Sequence, residues 1–78
     1  MSIHLQKAYR GGYSGRPGWW LHFAYSEASI DAIKCIAASE RSWDEEKKRW
    51  WVSLEAEDKL LKLAPSLEAY KRQGVLSL

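Results

Sequence analysis

Residues 41 to 52 read RSWDEEKKRWWV, and the way they fold decides which tryptophans of this chain can be buried. The pattern from Ser42 to Glu45 matches a capping box, which would start a charged helix here. Residues 50 to 52, WWV, are strand formers, however, and a helix through this segment would ignore a separate helix start at Ser53. We therefore predict a β-hairpin and keep the helix as the alternative.

A turn centred on Glu46 and Lys47 determines the register of this hairpin. It places Trp43 opposite Trp50 on one face of the strands, while Trp51 points to the other face. A slip of one residue would exchange the two faces, because side chains alternate along a strand. The other pairs in this register are Asp44 with Arg49, Ser42 with Trp51, and Arg41 with Val52.

Two segments near the amino terminus alternate in the way that is typical of half-buried strands. They are residues 3 to 9, IHLQKAY, and residues 19 to 25, WWLHFAY. Residues 10 to 18, RGGYSGRPG, lie between them and contain four glycines and a proline. We predict a hairpin over residues 3 to 25 whose strands are joined by a flexible glycine-rich loop at 10 to 18.

Helix signals fill the remaining chain. Ser26 stands at an N-cap position before a stripe of isoleucines at helical spacing, which predicts a helix over about 27 to 38. A second helix is predicted over 54 to 64, and residues 66 to 78 are expected to form a short helix and tail. The fold class that follows is α+β with the order β-β-α-β-β-α. We expect a single domain over residues 1 to 78, with two hairpins forming an antiparallel sheet and the helices packed on one face.

Catalytic and cofactor chemistry is not indicated by the sequence. His4 and His22 have no cysteine or carboxylate at a metal-ligand spacing, and the glycines match neither of the common nucleotide-binding loops. We expect a protein that is not an enzyme and holds no cofactor or metal. Cys35 is the only cysteine and no leader-like apolar segment follows Met1, which predicts a cytoplasmic protein without a membrane partner.

The charge distribution points to a binding role. The net charge is only +2, but residues 1 to 25 carry three basic residues and no acidic one, and this stretch is rich in Tyr and Trp. Basic side chains can neutralise phosphates while aromatic rings stack on unpaired bases. The candidate nucleic-acid-binding residues are Arg10, Tyr13, Arg16, Trp20, Lys47, Lys48, Arg49 and Trp51. We expect the loop at 10 to 18 and the turn at 45 to 49 to flank one edge of the sheet.

Residues 19 to 63 resemble the HARP domain, the substrate-recognition module beside SNF2-type ATPases in annealing helicases. The resemblance rests on an aromatic strand, an isoleucine-rich helix, a leucine-rich helix and the pattern R-x-W-D-x-x-x-K-x-W between them. That pattern is formed by Arg41, Trp43, Asp44, Lys48 and Trp50. The chain departs from the family in its glycine-rich segment and in lacking the ATPase and helicase motifs. The resemblance therefore implies only the recognition role.

Two classes of function follow. In the first, the chain is a small non-enzymatic nucleic-acid-binding domain that favours single-stranded or forked DNA over RNA. In the second, it is a protein-interaction module, inhibitor or adaptor with a hot spot of Trp, Tyr and Arg, because the same residue types dominate protein interfaces. The sequence does not separate the two classes, and it does not indicate an oligomeric state.

Overall fold

The computed structural model describes residues 3 to 76, in which four strands and three α-helices follow one another as the sequence predicts. The strands are β1 (Lys7–Tyr13), β2 (Arg16–His22), β3 (Arg41–Asp44) and β4 (Arg49–Ser53), and the α-helices are α1 (Glu27–Ile33), α2 (Glu57–Leu63) and α3 (Leu67–Leu76). Two short 3-10 helices, Ala38–Glu40 and Leu54–Ala56, lead into β3 and α2. The α+β class is confirmed.

The four strands form one antiparallel sheet in the order β1-β2-β4-β3. The chain leaves β2 at one side of the sheet centre, passes through α1, enters the far edge as β3 and returns as β4. The two hairpins are therefore joined along β2 and β4. These two central strands decide which side chains face the helices and which face away from them.

One face of the sheet packs against the helices and forms the core. Alternate residues of β2 and β4 point to this face, so that Trp19 and Leu21 lie beside Val52. The helices add buried apolar residues to the same cluster. Its members are Ile3, Leu5, Ala8, Trp19, Leu21, Ala32, Ile33, Ile36, Val52, Leu60, Ala64 and Leu67. A single core of this size accounts for the packing of all three helices on one side.

The second hairpin has the predicted register. Trp43 lies opposite Trp50 with ring centroids 5.2 Å apart, and Trp51 points to the other face. Asp44 accepts hydrogen bonds from the backbone N–H groups of Glu46 and Lys47, which closes the turn. The alternative of a continuous helix through this segment is wrong.

The prediction of a flexible loop at residues 10 to 18 is wrong, because these residues belong to β1 and β2. The turn consists of Ser14 and Gly15 only, and both have positive φ, as a type I′ hairpin turn requires. Gly11, Gly12 and Gly18 lie within the strands, and indole rings approach the backbone at Gly11 and Gly18. A Cβ atom on Gly11 would lie 2.5 Å from Trp20, and one on Gly18 would lie 2.6 Å from Trp51.

The helix boundaries also differ from those predicted. Ser26 caps α1 by accepting a hydrogen bond from the N–H of Ser29, as expected, but α1 ends at Ile33 rather than near residue 38. Beyond this end, the Nε–H of Arg41 donates to the carbonyl of Ile36 at 2.8 Å and satisfies a group that the helix no longer pairs. The second helix is divided into a 3-10 turn and α2. Ser53 makes no cap because its hydroxyl hydrogen-bonds to Glu40.

The close packing of Gly18 generates a first prediction. Gly18→Ala should lower the free energy of unfolding by ~1–3 kcal/mol, because the new methyl group meets the backbone carbonyl of Val52 and the ring of Trp51. Gly12→Ala is the matched control, since its nearest atom, the carbonyl oxygen of Arg16, lies 3.3 Å away. Urea denaturation should show the smaller loss for Gly12→Ala. Equal losses would contradict the close approach at Gly18.

The tryptophan pair of the second hairpin generates a second prediction. Trp50 packs against the core whereas Trp43 is exposed, so their truncations should differ. Trp50→Ala should cost about 3 kcal/mol in the free energy of unfolding. Trp43→Ala should cost at most about 1 kcal/mol, the value of a cross-strand aromatic pair. A loss well under 1 kcal/mol for Trp50→Ala would show that the Trp50 ring does not contribute to the core.

Candidate nucleic-acid interface

The sheet face that points away from the core cluster carries a layer of aromatic and basic side chains, called the open face below. In-register neighbours place Tyr9 beside Trp20, and Trp20 beside Trp51. The aromatic, basic and acidic side chains of the open face are those of Lys7, Tyr9, Tyr13, Arg16, Trp20, His22, Asp44, Arg49 and Trp51. Trp20 and Trp51 are not part of the core cluster, although both are buried. Other open-face side chains therefore shield their rings from solvent.

Arg49 covers Trp20. The guanidinium carbon lies 3.6 Å from a ring centroid of Trp20, which is a close cation–π contact. The guanidinium is held by Asp44, whose Oδ2 accepts from Nε at 3.0 Å, and by the Tyr9 hydroxyl oxygen, which accepts from an Nη–H at 2.5 Å. Trp20 retains only 7% of its accessible surface. Arg49 thus shields the Trp20 ring from solvent, as an apolar side chain packed on this face would do.

Arg16 covers Trp51 in a similar way. Its guanidinium carbon lies 5.6 Å from the Trp51 ring, and the group is paired with Glu40 at 2.7 Å. Glu40 also accepts a hydrogen bond from Ser53, which is the largest cause of its lowered pKa, and Arg16 lowers the pKa further. Trp51 is 2% exposed. Both cation–indole pairs are therefore attached to carboxylates at the rim of the open face.

Tyr13 is the exposed aromatic side chain of the open face. Its ring meets Trp20 edge-on at 5.9 Å and lies tilted on Trp51 at 5.4 Å. It is 43% exposed, whereas the two indoles beneath it are buried. A base that stacks on this face can reach Tyr13 without any rearrangement of the sheet.

His22 and Tyr9 extend the layer toward the other end of β2. The Tyr9 hydroxyl lies 3.4 Å from Nε2 of His22, and the rings are 5.8 Å apart. Burial lowers the pKa of His22, and the nearby charges of Lys7 and Arg49 lower it further. The imidazole is therefore neutral at neutral pH. Since Arg49 donates to the Tyr9 oxygen, the Tyr9 hydroxyl proton is free to point toward His22.

The predicted site residues fall into two groups. The structure brings Tyr13, Arg16, Trp20, Arg49 and Trp51 together on the open face. Arg10, Lys47 and Lys48 lie elsewhere: Arg10 is over the ring of Trp19 on the helix side, and the two lysines are in the turn between β3 and β4. Lys48 is also paired with Glu45.

The expectation that both turns flank one edge of the sheet is wrong. In the β2–β4 pairing, Gly18 lies opposite Ser53 and Leu21 lies opposite Trp50. The turn at 14 and 15 is therefore beyond the Gly18 end, and the turn at 45 to 48 is beyond the Leu21 end. Antiparallel pairing of the central strands forces the two turns to opposite ends. Basic residues of the two turns cannot form one compact patch.

Four open-face residues were not among the sequence candidates: Lys7, Tyr9, His22 and Asp44. The alternation of side chains along β1 and β2 could have indicated these residues. Tyr9 and Tyr13 are four residues apart in β1, so their side chains point to the same face of the sheet. The assumption of a loop at residues 10 to 18 hid this relation. Lys7 lies 5.4 Å from the Tyr9 ring and adds a basic group at the end of the face remote from Arg16.

Within the described part of the chain, no three His, Cys, Asp or Glu side chains are grouped so that they could hold a metal ion. His4 is exposed and precedes β1, rather than lying on a strand as expected. Among residues 3 to 76, no helix combines the length and apolar character needed to cross a bilayer.

Comparisons of the chain with protein-family models, with curated proteins and with solved structures gave no significant match.

The pairing of Asp44 with Arg49 predicts an acid-sensitive contribution to stability. The hydrogen bond from Arg49 is the largest cause that lowers the pKa of Asp44 below its ordinary value of 3.8, and the turn N–H groups lower it further. A carboxyl group whose pKa is lower in the folded state stabilises the fold above its unfolded pKa. That contribution is lost as the pH falls below 3.8 through the folded pKa.

Asp44→Asn should therefore lower the urea midpoint at neutral pH, and the difference from the unmodified protein should shrink as the pH falls from about 6 to about 2.5. His22 titrates in both proteins, so its contribution cancels from the difference. Asp31→Asn, on the exposed side of α1, is the matched control and should show no comparable change with pH. A difference at Asp44 that is independent of pH would argue against the ionised pair.

Proposed function

We propose that the chain is a small non-enzymatic nucleic-acid-binding domain and that it binds through the open face. The observation that supports this most directly is the exposed ring of Tyr13, which contacts Trp20 and Trp51, the two indoles covered by Arg49 and Arg16. An aromatic ring beside cations on a sheet offers stacking to a base and neutralisation to its phosphates.

Single-stranded or forked DNA is the favoured ligand. The open face is a sheet surface rather than a protruding helix, so it offers little to insert into the major groove of a duplex. Unpaired bases can instead turn toward Tyr13 and lie flat on its ring. The resemblance of residues 19 to 63 to the HARP domain supports the same preference for DNA.

The charges of the open face limit the electrostatic part of binding. Lys7, Arg16 and Arg49 are basic, while Asp44 and Glu40 are paired with two of them. About three phosphate contacts are therefore available, and each should contribute roughly 0.7 to the slope of log affinity against log salt on a single strand. The expected slope is about −2, which is modest for a nucleic-acid-binding protein.

Fluorescence anisotropy with labelled single-stranded, forked and duplex oligonucleotides at about 50 mM and about 200 mM salt tests the proposal. Single-stranded and forked probes should bind more tightly than the duplex. Tyr13→Ala should weaken binding by ~1–3 kcal/mol, because one stacked base is lost. Tyr13→Phe is the matched control and should retain binding, since it keeps the ring.

Two lysine variants test the electrostatic part of oligonucleotide binding. Lys7→Ala should flatten the salt slope by roughly 0.7. Lys34→Ala, which removes an exposed lysine outside the open face, should leave the slope unchanged. If no oligonucleotide binds at the lower salt, the nucleic-acid proposal fails and the protein-interaction class replaces it. Equal effects of the two lysine variants would place the ligand on another surface.

A further inference from the structure

Arg49 and Arg16, which lie over Trp20 and Trp51 on the open face, differ in how firmly their side chains are held. The guanidinium carbon of Arg49 lies 3.6 Å from the Trp20 ring, and its side chain is 15% exposed. The corresponding distance from Arg16 to Trp51 is 5.6 Å, and the Arg16 side chain is 40% exposed. Arg49 is thus a packed part of the sheet surface, whereas Arg16 lies over Trp51 with solvent at its edge.

Every polar partner of the Arg16 guanidinium that the structure shows is an oxygen atom at the protein surface. One Nη–H donates to Glu40 at 2.7 Å, the other Nη–H donates to the Ser39 carbonyl at 2.8 Å, and Glu55 lies 3.9 Å away. Phosphate oxygens offer guanidinium the same planar recognition as carboxylates do. A nucleic-acid phosphate can therefore replace these partners without leaving the arginine unpaired.

The position of Trp51 does not depend on Arg16. Its indole N–H donates to the carbonyl of Gly11 at 3.1 Å, and its ring lies against the backbone at Gly18. Tyr13 also packs on the ring, tilted by 40° with the ring centroids 5.4 Å apart. If the guanidinium of Arg16 moved away, the indole would remain in place, held by Gly11, Gly18 and Tyr13.

We propose that Trp51 is a second stacking position for an unpaired base, which Arg16 covers in the free protein and uncovers when it moves to the adjoining phosphate. This inference rests on the nucleic-acid-binding role proposed above. The exchange is favourable because a phosphate offers the guanidinium of Arg16 charged oxygen acceptors in place of those it leaves, and stacking of a base on Trp51 adds a contact that the free protein lacks. The ligand would then be a strand of at least two nucleotides, with one base on Tyr13 and the next on Trp51.

The carboxylates beside Arg16 allow a matched test with a single-stranded oligothymidine. Glu55→Gln removes a carboxylate that competes with phosphate for Arg16, and Glu46→Gln removes the same charge from the turn at the opposite end of the sheet. Glu55→Gln should tighten binding about threefold relative to Glu46→Gln, the size expected for one exposed ion pair. Equal affinities of the two variants would overturn the role assigned to Arg16.

Two spectroscopic measurements report whether Arg16 covers the ring of Trp51. In the free protein, Arg16→Lys keeps the charge but loses the planar group, so acrylamide should quench Trp51 more strongly than in the unmodified protein. The Trp51→Phe variant identifies its share of the emission. In an NMR titration with the oligothymidine, the indole N–H signal of Trp51 should shift, while that of Trp19, which donates to Glu57 on the helix side, should not.

The outcomes separate the two proposals. If no oligonucleotide binds, the proposed function and the second stacking position both fail. If the oligothymidine binds and Tyr13→Ala weakens it, but the Trp51 signal stays unchanged and Arg16→Lys leaves its quenching unchanged, the open face still binds nucleic acid and Trp51 is only structural. A shift at Trp51 together with stronger quenching in Arg16→Lys supports the position proposed here.

Discussion

The surfaces of this domain depend on the antiparallel pairing of β2 with β4. In its register Trp19 lies opposite Val52, and Trp20 lies opposite Trp51. Because side chains alternate along a strand, neighbouring tryptophans in the chain have opposite surroundings: Trp19 contributes to the core beneath the helices, and Trp20 belongs to the open face. A shift of this pairing by one residue would bring an indole of the open face into the core and expose part of the core.

A small domain has few ways to cover a second sheet face, and here arginine side chains do so. A guanidinium group is planar and weakly hydrated, so it can lie on an indole while its edges bind carboxylates. Arg49 does this between Trp20 and Asp44, and Arg16 does it between Trp51 and Glu40. The resulting layer buries apolar surface, yet its outermost groups are charged. The same atoms thus stabilise the fold and form the surface proposed to bind a ligand.

The pattern behind the HARP resemblance has a structural explanation as well. Arg41 satisfies a carbonyl beyond the end of α1, Asp44 closes the hairpin turn and holds Arg49, and Trp43 packs on Trp50. Each of these contacts stabilises the second hairpin or its junction with α1. The proposed ligand-binding atoms belong instead to Tyr13, Trp51 and the basic side chains around them. The residues of this pattern therefore build the scaffold, and the glycine-containing hairpin supplies much of the proposed interface.

The sequence by itself determined the α+β order, the cap at Ser26 and the register of the second hairpin, because all three depend on contacts between residues close along the chain. It did not reveal that Gly11 and Gly18 lie within strands. Glycine is needed at these two positions because indole rings from neighbouring strands lie against the backbone there, and those rings come close only in the folded sheet. The site was predictable in residue type but not in arrangement. Only the pairing of β2 with β4 decided that Arg16 and Arg49 share one face while the turns lie at opposite ends, because that pairing joins segments about 30 residues apart.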